Sequence, residues 1–216
     1  MRTSKLLEML NAGKINDVKK LLEDSIYEES LKKIPDAKKR YTAMKKYFTY
    51  TNNSREVLQK PCRIKFEDTY YTSFTNSWSL VLTNEPTGEI ELFDMNTGKY
   101  PDVCRLLRFD GIKSKININQ IIAEAKSKGY KLNKSEVNNG FNYVLDYDGT
   151  YYKIGLLDIS YGIINDGKIA IVHHPFGERM PLTIQNDLGF CMLMPVKYEE
   201  GSTPEEQGKI VIKVEI

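Results

Sequence analysis

Few side chains in this sequence combine the type and spacing that chemistry requires. His173 and His174 are the only two histidines. They are adjacent, and neighbouring side chains on a strand point to opposite faces, so the pair does not converge on one metal ion. Cys62, Cys104 and Cys191 lie far apart and form no C-x-x-C pair. Cys104 has Arg105 beside it, a neighbour that favours the thiolate, but no histidine is placed to partner it. Asp146 and Asp148 flank a turn and have a turn role. Glu91 and Asp94 form no recognisable carboxylate pair. The phosphate-cradling G-x-x-x-x-G-K-[ST], the dinucleotide G-x-G-x-x-G and the nucleophile G-x-S-x-G are all missing. These residues predict a protein that is not an enzyme and needs neither metal nor cofactor.

A second kind of chemistry is recognition. The stretch CMLMPVKYEE, residues 191–200, is an apolar run that meets a proline and then charge. Proline removes a ladder donor, so Pro195 marks a strand end or edge. Met194 and Val196 then belong either to an ordinary core strand or to a small apolar pocket for a partner's peptide. Methionine is flexible and polarizable, which suits a surface that accepts several peptides. The single tryptophan, Trp78, is a candidate anchor.

The elements that must position these residues follow from periodicity. Residues 1–60 read as helices: Leu6, Leu7 and Leu10 form a stripe ended by Gly13. Val18, Leu21, Leu22 and Ile26 form a second. A third helix after Pro35 sets Ala37, Tyr41, Met44 and Phe48 on one face, opposite Lys38, Lys39, Lys45 and Lys46, with Arg40 alongside. From residue 62 the period changes to two. Residues 62–94 predict about four short strands, turning near Glu67-Asp68, Thr75-Asn76 and residues 86–88. Residues 116–128 are helical, with Gly129 as stop, and Asp148-Gly149 marks a hairpin. Residues 156–165 form another apolar helix. KIAIVHHP, MPLTIQND and GFCMLMPV are strands, and KIVIKVEI is a last strand placed over the recognition surface or on an open sheet edge.

The fold class expected is α+β. Two halves, each with helices against one face of an antiparallel sheet, meet near residues 100–105. The domains are residues 1–104 (a helical N-terminal extension and a first half), 105–198 (a second half) and 199–216 (a tail with a final strand). The chain of 216 residues is 41% hydrophobic and 28% charged, ordinary for a folded protein. No apolar run is long enough for a membrane span, and residues 1–14 lack a signal-peptide pattern. The odd, scattered cysteines predict buried thiols in a reducing compartment, hence a cytoplasmic protein. Residues 1–60 hold 14 lysines and arginines against 8 acids, whereas residues 61–196 hold 14 against 16. A basic helical segment of this kind attracts phosphate backbones, or is simply a solvated surface.

Several stretches together resemble the bacterial sliding clamp, the β subunit of the replicative DNA polymerase. LMPVK (193–197) stands where that family ends in a strand like V-M-P-M-R. IGLLDISYGIIND, KIAIVHH and MPLTIQND precede it in the matching order. GKYPDVCRLL (98–107) is similar to the junction between the family's second and third domains, and FTNSWSLVL (74–82) stands in place of its A-T-D-G-H-R-L-A strand. The resemblance covers about residues 62–197 and implies two DNA-clamp-like halves without a first domain. Ser77, Trp78 and Ser79 depart from the family's Gly-His-Arg.

What the resemblance implies is a replication or processivity accessory, of phage or mobile-element type, that acts by topology and peptide docking. Linear peptide motifs of replication or repair proteins would dock in a cleft with one wall of Thr75, Ser77, Trp78, Ser79 and Leu80 and another of Met194, Pro195 and Val196. Lys38, Lys39, Arg40, Lys45, Lys46, Lys126, Lys128, Lys131 and Lys134 would meet duplex DNA through its phosphates, without reading bases. Two reduced domains cannot close around a duplex, so a ring implies a homo-oligomer. The alternative is a monomeric module of the same fold that binds protein and does not encircle DNA.

Overall fold

The computed structural model describes residues 3–15, 18, 22, 36–51, 55–85, 87–88, 90–96, 98–107, 109–174, 180–198 and 201–214. Most of the second expected helix, around Leu21 and Ile26, lies outside the described residues.

The sequence IGLLDISYGII forms a helix, α5 (Ile154–Ile164), in which nine of eleven residues are buried. A helix that is apolar all round must be covered all round. Two strands supply the floor: β3 (Ser79–Thr83) and β9 (Gly189–Leu193). Helix α2 (Ala37–Thr51) lies alongside, and the short α4 (Lys134–Val137) packs on the first turn. Helix α3 (Ile118–Ser127) closes a further side with Ile121, Ile122 and Ala125. A separate N-terminal helix, α1 (Thr3–Asn11), ends at Gly13, whose φ of 72° is the left-handed conformation that favours glycine.

The floor belongs to a seven-stranded, wholly antiparallel sheet. Its strands are β1 (Cys62–Phe66), β2 (Thr69–Thr75), β3, β4 (Ile112–Ile116), β7 (Ala170–His174), β8 (Leu182–Asn186) and β9. Their order is β1-β2-β3-β9-β8-β7-β4. At its centre β3 and β9 pair with Leu80 opposite Met192 and Val81 opposite Cys191. The layout is close to twofold: α2 leads into the meander β1-β2-β3, and α5 leads into β7-β8-β9. The two final strands meet in the middle. The sheet therefore runs unbroken across the expected boundary at residue 104.

A second sheet has three strands, β5 (Tyr143–Tyr147), β6 (Thr150–Lys153) and β10 (Ile210–Lys213). The β5–β6 hairpin turns at Asp148-Gly149, both with positive φ. The tail strand β10 pairs in parallel with the other edge of β5, not over the recognition surface.

All five residues of β3 are buried because both faces of the large sheet are covered. On the helix side Phe74, Val81, Cys191 and Ile184 pack with Met44 and Tyr47 of α2. On the other side Leu80, Leu82 and Met192 meet Tyr100, Val103 and Leu107, which a strap of chain from residue 98 to 107 lays across the sheet. Phe190, Phe66 and Phe109 extend that layer, with ring centroids 5.2–6.3 Å apart. The described residues of 62–94 contain three strands, where about four are expected. Residues 90–94 run without a ladder, held by Phe93 N donating to Pro61 O at 2.7 Å.

Arg40 is corrected from its expected place on the basic face. It is 3% exposed, and its Nη2 donates to Glu85 Oε2 at 2.9 Å while Nη1 donates to Asn165 O at 3.2 Å. It ties α2 to the end of β3 and to the C-terminus of α5, where a cation complements the helix dipole. No described helix is long and apolar enough to cross a membrane.

The closest approach to α5 is at Gly155, where an added Cβ would overlap the Glu136 carbonyl of α4. That neighbour is backbone and cannot swing aside. Gly155→Ala is therefore expected to destabilise the fold by about 2 kcal/mol, as overpacking does, measured as a lowered urea midpoint.

Candidate functional site

The turn between β2 and β3 is built to push one side chain outward. Asn76 Oδ1 accepts from Trp78 N at 2.9 Å and from Ser79 N at 2.7 Å, an Asx-type closure of the turn. Ser77 takes a positive φ of 76°. Below it, Ser79 Oγ lies 2.8 Å from Tyr47 Oη, and Thr75 Oγ1 donates to Ser79 O at 3.0 Å. Thr75, Ser79 and Leu80 are thus interior and hold the turn. Trp78 projects from it, 51% exposed.

The end of β9 completes this surface. Met194 N donates to Trp78 O at 2.8 Å, the last rung between the two central strands. Met194 is 36% exposed. Pro195 then ends the ladder, buried, and Val196 N donates to Tyr151 O at 2.8 Å. The chain leaves the large sheet for the edge of β6 at this proline. Of the eight cleft residues expected from sequence, Ser77, Trp78 and Met194 are exposed and Val196 is half-buried, while Thr75, Ser79, Leu80 and Pro195 are buried.

Three residues that sequence reasoning missed lie beneath Trp78. Lys153, at the end of β6, is only 5% exposed. Its Nζ sits 5.2 Å from the Trp78 ring centroid and 4.7 Å from that of Phe141, and donates to Asn138 O at 2.7 Å. Lys209 Nζ lies 4.7 Å from the same Phe141 ring and donates to Phe141 O at 2.6 Å. Burial first, and the charge of Lys209 second, pull the Lys153 ammonium down to a pKa of about 8. Lys153 is also the N-cap of α5, where the helix dipole opposes a cation. The one available sequence signal was this misplaced charge, a lysine directly before an apolar helix.

The basic residues divide. Lys38, Lys39, Lys45 and Lys46 are exposed along α2, with Lys39 paired to Asp36 at 2.7 Å and Lys45 4.4 Å over the Tyr41 ring. Lys39, Lys46 and Lys126 line a groove of about 570 Å³ between α2, α3 and α5, with Asp158 in its wall. Burial raises the Asp158 carboxyl above the usual range, against the pull of Lys126, the Tyr130 hydroxyl and Lys46. Lys128 turns away, paired to Glu124 at 2.9 Å and 3.5 Å from Val211 O. Lys131 and Lys134 are exposed beyond α3. Helix α5 itself offers no lysine or arginine.

The other candidates are held structurally. His173 lies 3.2 Å from Phe109 O and 3.1 Å from Gln185 Oε1 through its two ring nitrogens. His174 packs on the Tyr147 ring. Cys104 is corrected: burial and Asp102 raise its thiol, and Arg105 is engaged with Asp102 at 2.7 Å. Among the described residues, no group of three His, Cys, Asp or Glu side chains is placed to hold a metal ion. No protein-family model matches the chain, and no curated protein matches it.

Trp78 is the only tryptophan, so fluorescence excited selectively at the indole reports on this surface alone. Its emission is expected to change in a step centred near pH 8, as the ammonium over its ring loses its proton. The step should vanish in Lys153→Met. The unfolded chain holds that proton longer, so the contribution of Lys153 to stability rises between pH 8 and the ordinary lysine range.

Proposed function

We propose that this protein is a DNA-associated docking protein of sliding-clamp type. It contacts duplex phosphates through lysines of α2 and α3 and holds a linear peptide of a replication or repair partner on the Trp78–Met194 surface. The observation that carries this reading is the Met194–Trp78 rung. It joins two stretches far apart in sequence and leaves an exposed tryptophan and an exposed methionine side by side. An aromatic anchor beside an adaptable thioether is what a peptide-accepting surface needs.

The electrostatic part rests on α2, which carries Lys38, Lys39, Lys45 and Lys46 and no acid. A helix of this kind suits phosphate contact without base readout. The near-twofold pair of helix-plus-meander units supports the clamp comparison. The sheet edges β1 and β4 carry Arg63, Lys65, Lys113 and Lys115, charges that discourage promiscuous edge pairing.

A second reading, a monomeric protein-binding module that does not encircle DNA, is favoured by α5. Its lack of any cation, with Asp158 in the groove wall, leaves half of the helical pair unsuited to phosphate. The two readings part on one measurement, anisotropy of a labelled short duplex. The DNA-associated protein is expected to bind with affinity that falls steeply between about 50 and 200 mM salt. Replacing Lys38, Lys39, Lys45 and Lys46 together by alanine should flatten the log–log salt slope by about 0.9 for each phosphate that is no longer neutralised. A chain that ignores duplex at low salt and elutes as a monomer is the docking module alone.

A further inference from the structure

Two ammonium groups share one aromatic ring beneath Trp78, and this is an unusual thing to build. Lys153 and Lys209 both lie 4.7 Å from the Phe141 centroid. Burial of Lys153 carries a desolvation cost, and the charge of Lys209 adds to it. Among the described residues neither lysine forms an ion pair. The nearby Glu136 carboxylate is engaged elsewhere, accepting from Asn142 N and Asn142 Nδ2 at 3.0 Å each. Backbone carbonyls of Asn138 and Phe141 take one donor from each ammonium. Each ammonium has three donors, so each keeps donors that these carbonyls do not use.

We propose that Lys153 and Lys209 form a carboxylate subsite, and that the peptide held on the Trp78–Met194 surface places an Asp or Glu side chain there, next to an apolar anchor residue. This narrows the docking reading above and rests on it. Charge complementarity carries the choice of partner: two cations, neither ion-paired among the described residues, call for an anion. The acid is assigned to a side chain within the docked segment, and not to its C-terminal carboxylate. Trp78 covers Lys153, so the anchor contact and the charge contact are made at one place. The carboxylate would meet its partners with little water between them, where a charge-assisted bond is strong.

The test begins with a displayed library of random peptides selected against the full-length chain. Enriched sequences are then synthesised with the acid or its amide, Asp against Asn and Glu against Gln, and titrated by labelled-peptide anisotropy. The expected result is enrichment of an acid adjacent to an apolar residue, with the amide about tenfold weaker. In Lys209→Met the acid and amide forms should bind alike, while Trp78→Ala should lose both. Lys153→Met is the parallel variant. Lys209 is less buried, so its variant keeps the test alive if loss of Lys153 unfolds the chain, which thermal unfolding would reveal. Equal binding of acid and amide, or a preference that survives Lys209→Met, overturns the subsite and leaves peptide docking standing. Selection of peptides that need only a free C-terminal carboxylate overturns the side-chain assignment. Peptides that bind Trp78→Ala as well as the parent chain, or no enrichment at all, overturn the docking reading itself.

Discussion

An eleven-residue helix whose sole charge is Asp158 has to be covered on every side, and that constraint organises the molecule. Its floor is the antiparallel pair β3–β9, which also closes the two meanders on each other. Its flank is α2, pinned by Arg40 to Glu85 and to the carbonyl at the end of the helix it flanks. Its first turn is pressed so closely by α4 that only glycine fits at residue 155. Lys153 lies under Trp78 because the strand that feeds this helix, β6, ends there. The Trp78–Met194 surface is thus a by-product of how the apolar helix is entered and roofed.

The burial of both sheet faces explains why β3 shows no alternation. Helices cover one side, and the strap of residues 98–107 covers the other with Tyr100, Val103 and Leu107. Apolar content in this chain is spread over two cores joined through one sheet. Other large apolar side chains, such as Tyr70, Met95 and Ile169, are also exposed; what sets Trp78 and Met194 apart is the backbone rung that joins them.

Much of this was legible in the sequence, for local reasons. The Asp148-Gly149 turn, the Gly129 stop, the three strands after residue 168 and the proline that ends the last of them are all written in backbone preferences. Trp78 and Met194, far apart in sequence, are joined by the last rung between β3 and β9. The misses have physical causes too. The apolar spacing in α2 points to positions 37, 41, 44 and 48, but the buried stripe runs through 37, 40, 44, 47 and 51. A small rotation of the helix carries Arg40 inward, where a half-buried acceptor pair, Glu85 and the Asn165 carbonyl, receives it. Residues 90–94 alternate like a strand yet form no ladder, and Phe93 N instead bonds Pro61 O, just before β1. The Lys153–Phe141–Lys209 cluster joins three distant positions, and only tertiary structure could assemble it.

The tail strand acquires meaning from this cluster. Lys209 is the residue before β10, and β10 is held in parallel register on β5, Ile210 opposite Tyr143. Side chains alternate along a strand, so a slip of one residue would turn the next-door side chains to opposite faces. The register of β10 on β5 is therefore what aims the second ammonium at the Phe141 ring. A segment that looks like a peripheral appendage serves as the gauge that sets the spacing of two charges.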